Sequence, residues 1–200
     1  MTFDRIARHY HWLETLVFGS TLQKARTRWI ETIPPPQRAL ILGEGDGRFL
    51  CELLRVHPKV VVDCVDASAR MLNLAKRRVS GVVPQAEVRF LNEDIVSWTP
   101  SGSYDLLVTN FVLDCFEQHE LAAIIHKLVQ ASSAGAHLLL ADFAIPESSA
   151  SRIHAKLWLA IMYCFFRWTT GISAKELIDP ATELEANGFR HLAQAHWRFG

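Results

Sequence analysis

The chain has 200 residues, half of them hydrophobic, and its 21 Lys plus Arg are matched by 21 Asp plus Glu. That length and composition suit one domain with its own core and exclude a disordered chain. The balanced charge removes the overall field that would draw the protein to nucleic acid or an acidic membrane, so no nucleic-acid partner is expected.

The four cysteines, Cys51, Cys64, Cys115 and Cys164, show neither CxxC spacing nor a dense framework. They read as reduced, mostly buried thiols of a cytoplasmic protein. The N-terminus lacks the apolar run of a signal peptide, and the most apolar late stretch, Leu157 to Phe166, is too short to span a bilayer. The nine histidines are isolated, and no His, Cys and carboxylate spacing suggests a metal site.

Residues 1–35 read as a helical cap. Ile6, Tyr10, Leu13 and Val17 recur at helical spacing, Phe18-Gly19-Ser20 interrupts them, and Leu22, Ala25, Trp29 and Ile33 resume the pattern before Pro34-Pro35-Pro36. From 36 to 145 short apolar strands alternate with helices. The strands are Ala39–Leu42, Val60–Val65, Val88–Leu91, Tyr104–Val108 and His137–Ala141. The helices are Arg48–Val56, Ser68 to about Val79 (ended by Gly81 and Pro84) and Glu117–Ala131 (stopped by Ser132, Ser133 and Gly135). Residues 146–200 add an aromatic helix near Ser149–Phe166, a second from Ser173 or Ala174 to Asn187 interrupted near Pro180 and capped by Gly188, and a final strand over Phe189–Phe199.

Strands separated by such helices are parallel βαβ units. The fold class is therefore α/β, a Rossmann-like doubly wound, mostly parallel sheet with an N-terminal helical cap. A ligand should lie outside the carboxyl ends of the strands. Read in order, those ends carry Gly43-Glu44-Gly45-Asp46-Gly47, Asp66, Asn92-Glu93-Asp94, Thr109-Asn110 and Asp142-Phe143.

Glycines at a strand-to-helix turn let the main chain turn tightly and approach a ligand, while the first helical N–H groups face outward. Asp66, ending the second strand, suits the two hydroxyls of an adenosine ribose; a pre-helix cap is its structural alternative. Asp94 suits the exocyclic amine of adenine, with Ile95 lying on the ring; capping a turn before Trp98 is the alternative. Asn110 suits a ligand's amino acid portion. The glycine spacing departs from the G-x-G-x-x-G of nicotinamide dinucleotide sites, and a diphosphate would lie beside Glu44 and Asp46. A sulfonium with an amino acid end meets no such repulsion.

These segments resemble the class I S-adenosylmethionine-dependent methyltransferases, nearest to small-molecule and quinone-biosynthesis members. Leu40 to Leu50 resembles the first motif, Val65-Asp66-Ala67-Ser68 the ribose-binding motif, Asn92-Glu93-Asp94-Ile95 the adenine segment, Tyr104 to Phe111 the fourth strand and Gly135 to Phe143 the fifth. The resemblance implies S-adenosylmethionine as cofactor, held by Gly43, Glu44, Gly45, Gly47, Asp66, Ala67, Asp94, Ile95 and Asn110. It implies methyl transfer to a small or lipid-like acceptor, with Tyr10 of the cap either approaching the cofactor or packing the cap down. Two departures stand out: Ile41 occupies a position where many members carry an acid, and of the usual closing antiparallel strand pair one strand is expected to be absent, displaced or lost from the end of a truncated sequence.

Methyl transfer needs mainly in-line alignment and exclusion of water. Asp114 and His119 lie near the expected acceptor entrance, but neither is assigned, and the catalytic residues stay open. The aromatic segment Trp158 to Trp168 could wall an acceptor pocket, pack between cap and core, or form a homodimer surface within 150–170. The rival readings are an NAD-dependent oxidoreductase, a nucleic-acid methyltransferase and a non-catalytic scaffold.

Overall fold

The computed structural model describes residues 21–143 and 178–196. The first part of the cap, Tyr10 with it, and the aromatic segment Trp158–Trp168 lie outside the described residues. In chain order the described elements are α1 (Thr21–Thr27), β1 (Arg38–Leu42), α2 (Arg48–Val56), β2 (Val61–Val65), α3 (Ala69–Val82), β3 (Val88–Leu91), β4 (Tyr104–Asn110), a 3-10 turn at Leu113–Cys115, α4 (Gln118–Ala131), β5 (Ser132–Ala141) and α5 (Ala181–Ala186).

The five strands form one parallel sheet in the order β3-β2-β1-β4-β5. From β1 the chain moves outward through β2 and β3, then returns to place β4 on the other side of β1. The winding reverses between β1 and β4, where an open α/β sheet leaves a crevice. Both faces of β1 are buried, which is why its sequence reads as continuous apolar residues. Ala39 and Ile41 pack with Phe49, Leu50, Leu53 and Leu54 of α2 and Val79 of α3, while Leu40 and Leu42 join Leu121, Ile124, Ile125 and Leu128 of α4. Cys51, Cys64 and Cys115 are free and buried.

Several boundaries differ from expectation. The cap helix stops at Thr27, and Arg28 to Thr32 form turns in which Ile30 is buried. His57 donates from Nε2 to the Ile30 carbonyl oxygen at 2.9 Å, fastening that turn to the end of α2. α3 runs through Gly81 to Val82, because a solvent-side glycine only weakens a helix. Its stop is set at Val83, which precedes Pro84 and is pushed out of helical geometry.

β5 begins at Ser132, directly off α4, since the serine that caps the helix also pairs with Tyr104. An irregularity carrying Gly135 at φ 76° then restores the register at Leu106 and His137. The expected strand at Phe189–Phe199 is not observed over 189–196. Phe189 instead closes α5: its N–H donates to the Leu184 carbonyl oxygen and that of Gly188 to Glu185, a Schellman turn with Gly188 at φ 93°, and Phe189 packs on the core.

β2 carries a charge within the sheet. Asp63 accepts from Arg89 Nε at 2.8 Å and Nη2 at 2.7 Å, and from the Tyr104 hydroxyl at 2.5 Å. Burial opposes its charge, but the Arg89 and Tyr104 hydrogen bonds and the guanidinium charges outweigh burial and hold the carboxyl below its usual range. Asp63→Ala leaves the buried Tyr104 hydroxyl without its acceptor and should cost about 2 kcal/mol in urea denaturation at pH 7, a modest figure because Arg89 is half exposed. A carboxyl with a lowered folded pKa contributes stability that is lost as pH falls, so the gap between variant and wild type should narrow below pH 3.8. A gap that widened in acid would contradict this role.

Candidate active site

The turns at the carboxyl ends of β1, β2, β3 and β4 converge on one cleft at the reversal point of the sheet. Gly43, Glu44, Gly45, Asp66, Ala67, Asp94, Ile95 and Asn110 line it, together with Arg26, Asp46, Met71, Phe111, Val112, Cys115 and Phe116. Gly47, expected among the ligand contacts, does not line it. A Cβ there would lie 2.6 Å from the Ala75 backbone, and its φ is 87°, so Gly47 allows α2 and α3 to approach. Gly45, at φ 73°, has nothing within 4 Å of a Cβ position and leaves its backbone open to the cleft.

Asp66 serves the structural job considered for it and one more. One carboxylate oxygen accepts the Ser68 N–H at 2.8 Å and turns the chain into α3; the other accepts the Gly45 N–H at 3.1 Å and ties β2 to the glycine loop. Ser68 is the cap of α3, its hydroxyl accepting the Met71 N–H. Asn92 donates to the Asp66 carbonyl oxygen at 3.1 Å, bracing β2 against β3. Asp94 likewise lines the cleft and accepts the Val96 N–H at 2.9 Å within its own turn. Asn110 has a buried amide nitrogen with no partner, an uncommon state for a donor and one that a ligand's acceptor would relieve.

The acids of the glycine loop are less negative than their sequence suggests. Asp46 is paired with Arg48 at 3.0 Å and Arg78 at 3.1 Å. Glu44 turns inward and accepts the Leu50 N–H at 2.9 Å, capping α2, and burial pushes its carboxyl up to about 8. The repulsion expected against a diphosphate is therefore largely cancelled at neutral pH. Because the folded chain keeps a proton on Glu44 that the unfolded chain releases, stability should decline as pH rises from 4.5 toward 8. Glu44→Gln retains an acceptor for Leu50 and removes the titration. Thermal denaturation across that range should show wild type losing Tm relative to the variant, whereas parallel curves would rule out a buried, protonated Glu44.

On the β4 and β5 side, Phe111 adopts φ 55° and its ring lies 5.1 Å from that of Phe143. The Arg26 guanidinium, brought in by α1, sits 5.4 Å over the Phe111 ring. Asp114 and Asp142 are neighbouring carboxyls whose charges oppose each other. Burial pushes Asp114 up to about 6 and holds Asp142 well above the ordinary carboxylate range, the Asp114 charge adding to the effect at Asp142. His119 is exposed, 3.8 Å from Glu117 at the start of α4, away from the cleft lining. Cys115 reaches the lining, but burial raises its thiol well above the ordinary value, which disfavours a reactive thiolate.

Arg26 and Phe111 escaped sequence reading. Arg26 sits in a cap helix whose pattern signals only packing, and a left-handed phenylalanine has no sequence signature. Among the described residues no group of three or more His, Cys, Asp or Glu could hold a metal, and no helix is long and apolar enough to cross a membrane.

A Rossmann-like parallel sheet with this cleft at its reversal point defines a class of nucleoside-cofactor proteins, and comparison narrows it. Residues 39–135 match the family model described as a methyltransferase domain. The malonyl-[acyl-carrier protein] O-methyltransferase of Paenibacillus sp. (strain JDR-2) is 34% identical over 83 residues, which cover 40% of this chain and 29% of the relative. The chain thus spans less than a third of that curated relative's length. An O-methyltransferase family protein from Burkholderia thailandensis superposes with a TM-score of 0.63 at 16% identity, over 94% of this chain and 58% of that one. DhpI in a complex with SAM gives 0.62 at 20% identity, over 72% and 64%. Residues 39–135, just under half of the chain, are thus similar to a methyltransferase domain, and the solved methyltransferase structures share its fold.

Proposed function

We propose that this protein binds S-adenosylmethionine in the cleft between β1 and β4 and transfers its methyl group to a small or lipid-like acceptor. The observation that carries the reading is the convergence of the open Gly45 backbone, the Asp66 carboxylate, Asp94 with Ile95, and the unpartnered Asn110 amide on a single cleft. Their chemistry fits the cofactor part by part: Asp66 accepts from ribose hydroxyls, Asp94 from the adenine amine, and Ile95 covers the ring. The buried Arg26 guanidinium and the unpartnered Asn110 amide nitrogen, both donors, are suited to the carboxylate of the amino acid end, and Glu44 to its amine.

When bound, the cofactor supplies an electrophilic methyl group on a positively charged sulfur. The protein's own contribution is alignment and dryness. Phe111, Val112, Cys115 and Phe116 provide an apolar wall on the acceptor side, which excludes competing water.

The test is methyl transfer from radiolabelled S-adenosylmethionine. Malonyl-acyl-carrier protein is the first acceptor to assay because the curated relative is named for it; small phenols, amines and lipid-like alcohols follow. Saturable, enzyme-dependent labelling of one acceptor supports the proposal. Adenosyl-ligand binding with no transfer to any acceptor class would favour a scaffold instead.

A further inference from the structure

The turn that carries Asp94 and Ile95 follows β3, which among the described residues pairs only with β2. Inside the turn, the Asp94 carbonyl oxygen accepts the Ser97 and Trp98 N–H groups at 3.1 and 2.8 Å. Its outgoing carbonyls, like those at a helix end, need donors from elsewhere. Lys127 of α4 supplies them: its Nζ donates to the carbonyl oxygens of Ile95 at 3.2 Å, Trp98 at 2.6 Å and Val96. An ammonium has three N–H donors, and here three carbonyls of one turn receive them. Lys127 does not line the cleft.

We propose that Lys127 is a positioning residue: by clamping the carbonyls of the 94–98 turn it sets where Asp94 meets a bound base, and so sets the preference for adenine over a base lacking the exocyclic amine. The inference rests on the adenosyl-ligand reading above. Two contacts to the base respond differently when the clamp is lost. Ile95 and Trp98 are buried in the core cluster with the apolar side of α4, so the turn stays docked and an apolar surface remains for the ring. A hydrogen bond from the adenine amine to Asp94 is directional and weakens steeply with misalignment. Removing Lys127 should therefore cost an adenine ligand more than a hypoxanthine one.

The experiment titrates S-adenosylhomocysteine and S-inosylhomocysteine into wild type, Lys127→Met and Lys127→Arg by calorimetry, with far-UV circular dichroism and thermal melts as fold controls. Wild type should prefer the adenosyl ligand. Lys127→Met should bind it about tenfold more weakly, the effect of misplacing one charge-assisted hydrogen bond, with less change for the inosyl ligand, so that the preference shrinks. Lys127→Arg, which keeps charge and donors, should restore most of it. An unchanged ratio of the two affinities, whether both hold or both fall together, would overturn the proposal. If Lys127→Met does not fold, Lys127→Gln makes the same comparison, since its shorter polar side chain loses the charge, a donor and the reach to the three carbonyls. A wild type that binds neither ligand would remove the adenosyl-ligand reading and this inference with it, whereas binding with an unmoved ratio removes the inference alone.

Discussion

Gly47→Ala should destabilise the domain by about 3 kcal/mol, while Gly45→Ala, two positions away in the same loop, should cost about 1 kcal/mol. Both glycines have positive φ, 87° and 73°, so each substitution carries the strain of a left-handed alanine. Only at Gly47 does the added methyl also meet backbone, 2.6 Å from Ala75 Cα, where neither helix can yield without opening the packing of α2 on α3. At Gly45 the methyl enters open space over the cleft, so its larger effect should fall on ligand affinity. Urea denaturation of both variants separates the two roles. Equal losses of stability would show that strain alone matters and that the helix contact has been misread.

Asp66→Asn should weaken binding of S-adenosylhomocysteine by 10- to 100-fold, on the order of 1.5–3 kcal/mol for hydrogen bonds to a charged acceptor. Asparagine keeps a carbonyl oxygen for the Ser68 N–H and so preserves the turn into α3. It loses the charge facing the cleft and one of two acceptors, including the one that holds the Gly45 N–H at 3.1 Å. Asp66→Ala is the poorer probe, because it removes both bonds and loosens the glycine loop itself. Calorimetry on the Asn variant checks the assignment, and wild-type affinity would dismiss Asp66 as a ribose ligand.

What sequence could and could not disclose follows from the range of the forces involved. α2 and β3 have the expected limits of Arg48–Val56 and Val88–Leu91, because periodicity and turn residues are local properties. Glycine and serine misled where context overrode propensity: Gly81 lies inside α3 and Ser132 inside β5. The cleft was legible because parallel topology sends every strand end to one side of the sheet, placing Asp66, Asp94 and Asn110 together from chain order alone. The inward turn of Glu44 onto Leu50, the Arg78 contact that neutralises Asp46, and the Lys127 clamp join residues distant in sequence or depend on rotamers, which no single sequence displays. Glu44 and Asp46 illustrate the cost: a charge argument drawn from letters fails once burial and pairing are known.

We propose the reversal point of this sheet as an adenosyl-sulfonium site. Its most direct test is calorimetric titration of the wild-type chain with S-adenosylmethionine, S-adenosylhomocysteine and NAD in one buffer. The expected result is saturable one-to-one binding of the first two and no heat from the third. Saturable binding of NAD alone would contradict it.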